Sequence, residues 1–394
     1  MSDSQDIQMM DVAARLALRG HGGAEPNPLV GCVIIDATGA QVGWGFHARC
    51  GDGHAEAIAL ARAGTRARGG TAFVTLEPCA HHGRTPPCAT ALIAAGVSRV
   101  VYGVSDPHPH AAGGAALLRA AGVTVERIEH RGSAHVSAPF ITRVIEQRPW
   151  TIAKWAQTID GRTATRAGDS RWISGVSSRA MVHRERARVD AVMVGIGTLL
   201  ADDSHLLPRI RHGGMPRRTP LRVIVDPRLA TPTDARVIKS SHEGPIVILA
   251  LPAAIERLHA ERRNAFEQAS IRLEPLDDSA ARDAHPSFRG LPQGALRTSL
   301  RSLLAQGVST LLVEGGAGLL GALFHEDLVD DAWCFTGPRA IADGSGSPIA
   351  AGPGCGLMID AHRFELLELR RRGHDSMTLW RRMRQGDSTA ASRS

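Results

Sequence analysis

The chain has 394 residues, 43% of them apolar and 22% charged, enough for two domains of about 100–200 residues each whose cores need no disulfide staples. The formal charge of +7 and the pI of about 9.6 favour an anionic partner, and a phosphorylated substrate and cofactor satisfy that as well as nucleic acid does; one Tyr and eight Phe leave few rings for stacking bases. Six cysteines in so long a chain speak against a secreted disulfide framework, residues 1–10 lack a signal pattern, and no apolar run approaches the roughly 20 residues of a membrane span, so a cytoplasmic protein with no membrane partner is expected.

In the first half, Ile7, Met10, Ala14 and Leu18 recur at helical spacing and predict a helix over 6–18. Pro26-Asn27-Pro28 turns into an apolar run, 30–35, read as a buried strand. Asn27 is stiffly held between two prolines; its amide could read a ring edge or merely make the turn. An Ala-rich helix is predicted over 54–63, a strand over 71–76, and a second helix over 85–95 with Pro86-Pro87 at its entry. A strand (99–104), a helix (113–121) and a strand (123–128) follow, and strands alternating with helices imply an α/β layered domain.

The chemistry concentrates in residues 54–88. His54, Cys79 and Cys88 can be three protein ligands of a zinc ion, which leaves a fourth position for water and makes such a site catalytic. Glu56, two residues from His54, could move protons beside the metal without binding it. Alone, a His-x-Glu pair is usually solvated surface, and two cysteines nine positions apart can simply be buried. Together, with Pro78 before the first Cys and a strand leading in, they match the His-x-Glu and Pro-Cys signature of zinc nucleobase deaminases. Cys32, Cys50, Cys334 and Cys355 are read as buried or incidental.

Across Pro26-Asn27-Pro28, Val30-Gly31-Cys32, Gly53-His54-Ala55-Glu56 and the block from Thr75 to Cys88, this half resembles the deaminase domain of the RibD family of bifunctional riboflavin-biosynthesis proteins. The eight residues between Cys79 and Cys88 separate it from deaminases with Cys-x-x-Cys spacing. The resemblance implies a cytidine-deaminase-like three-layer fold, zinc on His54, Cys79 and Cys88, and Glu56 as the catalytic proton shuttle. The implied substrate is 2,5-diamino-6-ribosylamino-4(3H)-pyrimidinone 5′-phosphate, which loses its 2-amino group as ammonia, with Asn27, His81 and Arg84 holding base and phosphate. His108, between Pro107 and Pro109, stands where the family usually has Asn.

Residues 131–147 predict a connecting helix, and Arg148-Pro149 breaks it, so domains of 1–148 and 149–385 are expected, with a disordered tail over 386–394. In the second half, strands are predicted over 150–158, 190–194, 221–225, 245–249 and 309–313, and helices over 177–187 and 296–305. Residues 256–295 read as polar and irregular, with room for one Arg-rich helix. Gly316, Gly318 and Gly321 fit Gly-x-Gly-x-x-Gly after a strand and before an apolar helix, a context that can cradle a pyrophosphate. Such a loop normally opens a Rossmann domain, and this one comes late; a tight turn without a ligand is the competing reading.

This half is similar to the RibD reductase domain at Lys154, Ala156, the run from Ile159 to Ala164, Ser170, Trp172-Ile173, the run from Gly197 to Asp203, and Val313-Glu314-Gly315-Gly316. The resemblance implies a dihydrofolate-reductase-like fold and hydride transfer from NADPH that opens the ribosyl group to a ribityl chain. It places NADPH contacts on Ala156, Trp172, Thr198, Asp202, Gly316, Ala317, Gly318, Leu319, Leu320, Gly321 and Ala322. Substrate contacts fall on Lys154, Ser170, Arg186, Leu206, Arg209 and Glu314, and Lys154 and Asp160 could assist proton movement. Leu207 and Pro227 depart from the family pattern. The expectation is a bifunctional enzyme, deaminase then reductase, acting on a small phosphorylated pyrimidine, with no nucleic-acid partner and as a homo-oligomer, most simply a dimer. The competing readings are a zinc deaminase acting on nucleic acid, which the Cys79-to-Cys88 spacing disfavours, and an assembly protein with one inactive half.

Overall fold

The computed structural model describes residues 4–81, 86–109, 111–209, 218–276, 291–292, 294–352 and 354–384. The chain divides into two compact units, Met1–Arg148 and Pro149–Ser394.

The first unit contains β1 (Gly31–Ile35), β2 (Gln41–Phe46), β3 (Thr71–Leu76), β4 (Arg99–Val104) and β5 (Thr124–Arg127), interleaved with α1 (Ser4–Ala17), α2 (Ala55–Ala63), α3 (Cys88–Ala94), α4 (Gly114–Ala120) and α5 (Arg131–Ile145). The strands form one sheet in the order β2-β1-β3-β4-β5. β1 runs antiparallel to β2 and β3, whereas β3, β4 and β5 are parallel. Apolar side chains alternate between its faces, as the pleat requires. Cys32, Ile34, Val74 and Val100 pack with α2, α3 and α4 residues, while Val33, Phe73 and Val101 pack with Met10 and Leu16 of α1. That is a three-layer α/β/α unit.

Strand β2 is absent from the sequence reading because its two glycines look like a turn. They serve contact instead. A Cβ on Gly45 would lie 2.3 Å from the Ala55 carbonyl oxygen, and one on Gly43 would lie 2.3 Å from that of Ala59. Helix α2 therefore rests directly on the β2 backbone, which sets the position of its first turn.

The second unit contains β6 (Trp150–Gln157), β7 (Ala191–Gly195), β8 (Leu221–Val225), β9 (Ile246–Ala250), β10 (Arg272–Pro275), β11 (Thr310–Val313), β12 (Asp331–Thr336), β13 (Phe364–Arg372) and β14 (Asp375–Arg382). Its helices are α6 (Val176–Arg186), α7 (Ile196–Asp202), α8 (Arg236–Lys239), α9 (Pro252–Glu256), α10 (Ala260–Gln268), α11 (Ala295–Ala305) and α12 (Ala317–His325). The sheet order is β10-β9-β8-β7-β11-β6-β12-β14-β13. The strands from β10 to β12 are parallel, and β14 and β13 close that edge as an antiparallel hairpin. Central strands such as β8 and β9 are buried along their whole length, as expected of parallel strands covered on both faces.

The Arg-rich helix expected between 256 and 295 is α10. The strands β12, β13 and β14 were not anticipated. Five arginines in β13 and β14 obscure the alternation that marks a strand, and the pairing of β14 with β12 depends on residues far away in sequence. The tail expected over 386–394 lies outside the described residues.

Candidate active sites in the two units

In the first unit, His54 is the N-cap residue of α2, Cys88 is the first residue of α3, and Cys79 follows β3 by three residues. Two helix starts and a strand end thus bring three donors together. One ligand atom from each lies within 4.8 Å of the others. His54 Nδ1 is 3.2 Å from Cys88 Sγ and 3.7 Å from Cys79 Sγ, and the Cys88 backbone N–H donates to Cys79 Sγ at 3.3 Å.

The thiols behave as a pair. The hydrogen bond from Cys88, with His54 assisting, draws Cys79 down to about 4, while Cys88 is pushed up by the same bond and by burial. The helix-start N–H at Cys88 donates to the neighbouring sulfur, which favours a thiolate at Cys79. One imidazole and two thiols at this spacing fit zinc, which accepts both donor types, and three protein donors leave a position open.

Glu56 lies on the first turn of α2 and is only 4% exposed. Burial raises its pKa above the ordinary carboxylate value, against the opposing charge of His54. A carboxyl moved toward neutrality can both take up and return a proton. Asn27 is half-buried, with its Nδ2 3.0 Å from His47 Nε2. Since His47 Nδ1 lies 3.2 Å from the Gly53 carbonyl oxygen, Nδ1 donates there and Nε2 accepts from Asn27. The His47 and His54 rings meet edge-on at 5.6 Å. His47 escaped the sequence reading because it directly follows the unrecognised strand β2. His81 is exposed, and Arg84 lies outside the described residues. Buried Glu77 accepts backbone N–H groups from Asp106, Gly113 and Ala115, which ties the 105–115 segment to the end of β3.

In the second unit, a cavity of about 1300 Å³ opens across the carboxyl ends of β6, β7, β8 and β11, where open α/β sheets place their ligands. It exceeds the usual 300–1,000 Å³ of small-molecule sites and has room for a dinucleotide beside a substrate. Lys154, Ala156, Ser170, Trp172, Arg186, Thr198, Asp202, Leu206, Arg209, Glu314, Gly316, Ala317, Gly318 and Leu319 all line it. Leu320, Gly321 and Ala322 do not: they are buried on the inner face of α12, and a Cβ on Gly321 would lie 1.7 Å from the Ala351 carbonyl oxygen. The last glycine of the apparent Gly-x-Gly-x-x-Gly pattern therefore serves packing. A Cβ on Gly316 would come within 3.0 Å of Thr198 Oγ1, so backbone and hydroxyl together shape a cradle suited to a pyrophosphate.

Glu314 sits at the end of β11 with Arg186 Nε 2.5 Å from Oε1 and Lys154 Nζ 3.6 Å from Oε2. Arg186 also donates to the Leu207 carbonyl at 3.3 Å. Asp160 does not line the cavity. Its carboxylate accepts from Thr158 Oγ1, Ile341 N and Ala342 N, bonds that hold it down at about 2, with Thr158 the largest contributor. It ties two loops together rather than moving protons.

Two family descriptions match the chain. Residues 149–377 match the RibD C-terminal domain, and residues 3–104 match the cytidine and deoxycytidylate deaminase zinc-binding region. Riboflavin biosynthesis protein RibD of Escherichia coli (strain K12) is 34% identical over 383 residues, covering 94% of this chain and 98% of that protein. The chain belongs to the RibD family.

The RibD protein of Aquifex aeolicus is likewise 34% identical, over 86% of this chain and 88% of its own length. Among solved structures, Acinetobacter baumannii RibD superposes with a TM-score of 0.76 at 32% identity, over 96% of this chain and 99% of that one. A Thermotoga maritima protein titled a diaminohydroxyphosphoribosylaminopyrimidine deaminase/5-amino-6-(5-phosphoribosylamino)uracil reductase does so with 0.76 at 28%, over the same shares. As a RibD protein, the chain is a bifunctional enzyme of riboflavin biosynthesis, a zinc-dependent deaminase and an NADPH-dependent reductase, and its α/β units are the two family folds.

Proposed function

We propose that the first unit hydrolytically deaminates 2,5-diamino-6-ribosylamino-4(3H)-pyrimidinone 5′-phosphate, and that the second reduces the ribosyl group of the product to give 5-amino-6-ribitylamino-uracil 5′-phosphate. The domains would be residues 1–148 and 149–385. The observation that carries the reading is the convergence of His54, Cys79 and Cys88 within 4.8 Å beside buried Glu56.

His54, Cys79 and Cys88 would hold a zinc ion, which would supply an acidified water as the nucleophile. Glu56 takes the proton released as that water adds to the ring carbon bearing the 2-amino group, then returns it to the departing amine, so that ammonia leaves. Asn27, whose Nδ2 is engaged by His47, presents its amide oxygen to the base. His81 and Arg84 complete the substrate contacts.

NADPH, when bound along Ala156, Trp172, Thr198, Asp202 and the Gly316 turn, supplies the hydride for the ribosyl C1′. Ser170, Leu206 and Arg209 position the substrate. Lys154, close to Glu314, is the cation best placed to deliver a proton to the opening sugar oxygen.

No helix among the described residues is long and apolar enough to cross a membrane, in keeping with a cytoplasmic site of action. Exposed Leu357, Met358, Ile359 and Leu369 support a homo-oligomer, which size-exclusion chromatography with light scattering checks. The functional test is a split assay on purified protein. Ammonia release is followed without NADPH, and NADPH oxidation after its addition, each with and without a zinc chelator. Chelator-sensitive ammonia release followed by NADPH oxidation is expected. Ammonia without oxidation would remove the reductase assignment, and silence in both with zinc bound would favour a nucleic-acid substrate.

A further inference from the structure

His183 has no part in the reactions above, yet it lines the cavity of the second unit. It lies on α6 three residues before Arg186, so the two side chains share a helix face. The backbone N–H of Arg209 donates to His183 Nδ1 at 3.3 Å. A backbone N–H can only donate, so Nδ1 carries no proton and the neutral ring bears it on Nε2.

The charged groups around this ring are Arg186 from its own helix, Glu314 from the end of β11, Arg209 from the segment after α7, and Lys154 from β6. Three cations face one carboxylate, leaving an excess of two positive charges. That excess matches a phosphate monoester, which carries about −1.5 to −2 at neutral pH. Burial first, then the Arg186 charge, lowers the His183 pKa to about 4, so near neutrality the ring is an uncharged donor. A fourth cation here would be repelled by the other three.

We propose that His183 is a specificity-determining contact for the substrate's phosphate in the reductase site, donating from Nε2–H to a phosphate oxygen while its Nδ1 holds the Arg209 backbone. The inference rests on the reductase reading above and deepens it. One ring couples two tasks: the hydrogen bond that orients the imidazole also positions the segment carrying Arg209.

The test uses the full chain and its NADPH oxidation with the deaminated phosphorylated substrate and with its dephosphorylated counterpart. Ribose 5-phosphate serves as a competitor, and NADPH binding is read separately by fluorescence. His183→Ala should lower kcat/KM for the phosphorylated substrate about 10- to 100-fold, chiefly through KM, as expected for a lost hydrogen bond to a charged group. It should weaken inhibition by ribose 5-phosphate and leave NADPH binding and the dephosphorylated substrate unchanged. His183→Gln, which keeps an amide donor and an acceptor, should recover much of the loss. Equal loss on both substrates, or loss of NADPH binding, would reduce His183 to a structural role and overturn the proposal, as would no loss at all. A wild-type protein that binds NADPH but oxidises it with neither substrate would remove the reductase reading, and this proposal with it.

Discussion

Arg186 Nε stands 2.5 Å from Glu314 Oε1, so the arginine that lines the reductase cavity is held by a carboxylate rather than left to the substrate alone. Burial by itself would raise the Glu314 pKa, but Arg186 and then Lys154 override it and hold the carboxyl at about 2, against an ordinary 4.5. A depressed folded-state pKa stabilises the fold above the unfolded value, and the benefit fades as pH falls from about 4.5 toward 2. Its full size is roughly 3 kcal/mol by the linkage relation. Denaturant titrations between about pH 5 and pH 2.5 should show this loss in the wild type, on top of general acid destabilisation. In Glu314→Gln that component should be missing, with the variant already weaker at pH 7. Parallel curves for the two proteins would count against the pair.

Glu56 is a buried carboxyl beside three metal donors and donates nothing to the ligand set. Glu56→Gln should therefore retain one zinc per chain by metal analysis while ammonia release falls about 10²- to 10⁴-fold, the usual contribution of a positioned acid–base group. Unchanged turnover would remove the shuttle role. Zinc loss would instead make Glu56 part of the metal site.

Cys88 joins the metal donors to the start of α3. Cys88→Ser should lose most of its zinc and its ammonia release, because a hydroxyl is a far poorer zinc ligand than a thiolate. NADPH oxidation supplied with already deaminated substrate should persist, since the Glu314 site is built entirely from residues of the second unit. The same split is expected from a chelator. Loss of both activities together would mean that zinc supports more than the first unit.

Gly45 lets α2 lie on β2, with Ala55 O only 2.3 Å from where a Cβ would sit. Gly45→Val should push α2 off the strand and carry His54 and Glu56 with it. A cost of about 1–3 kcal/mol or more is expected for overpacking a fitted contact, read as a lower melting temperature together with reduced zinc content. Normal zinc content at a normal melting temperature would contradict this account of how the site is seated.

The metal donors were legible in the sequence because their chemistry is carried by residue type at short, specific spacing, and each lies where a predicted helix starts or a strand ends. Most of the parallel core strands were legible as apolar runs, but β10 and β12, also parallel, were not. Strand β2 was hidden by Gly43 and Gly45, and the hairpin of β13 and β14 by its arginines, since in both cases distant packing outweighs local pattern. The glycine loop was legible only in part: Gly316 shapes the cavity, while Gly321 serves the contact with Ala351.

The sequence by itself determined the clustering candidates His54, Cys79 and Cys88, the nearby Glu56 and the order of the two halves, because these follow from residue identity along the chain; the residues named for the second-unit cavity came from the family resemblance. Only the tertiary structure decided that the Cys88 backbone N–H donates to Cys79, that Asn27 is engaged by His47, that Asp160 ties loops, that Arg186 binds Glu314, and that His183 bears its proton on Nε2. Each of these depends on a hydrogen bond or charge brought close by folding, and protonation and pairing respond to distances of a few ångströms that sequence spacing does not specify.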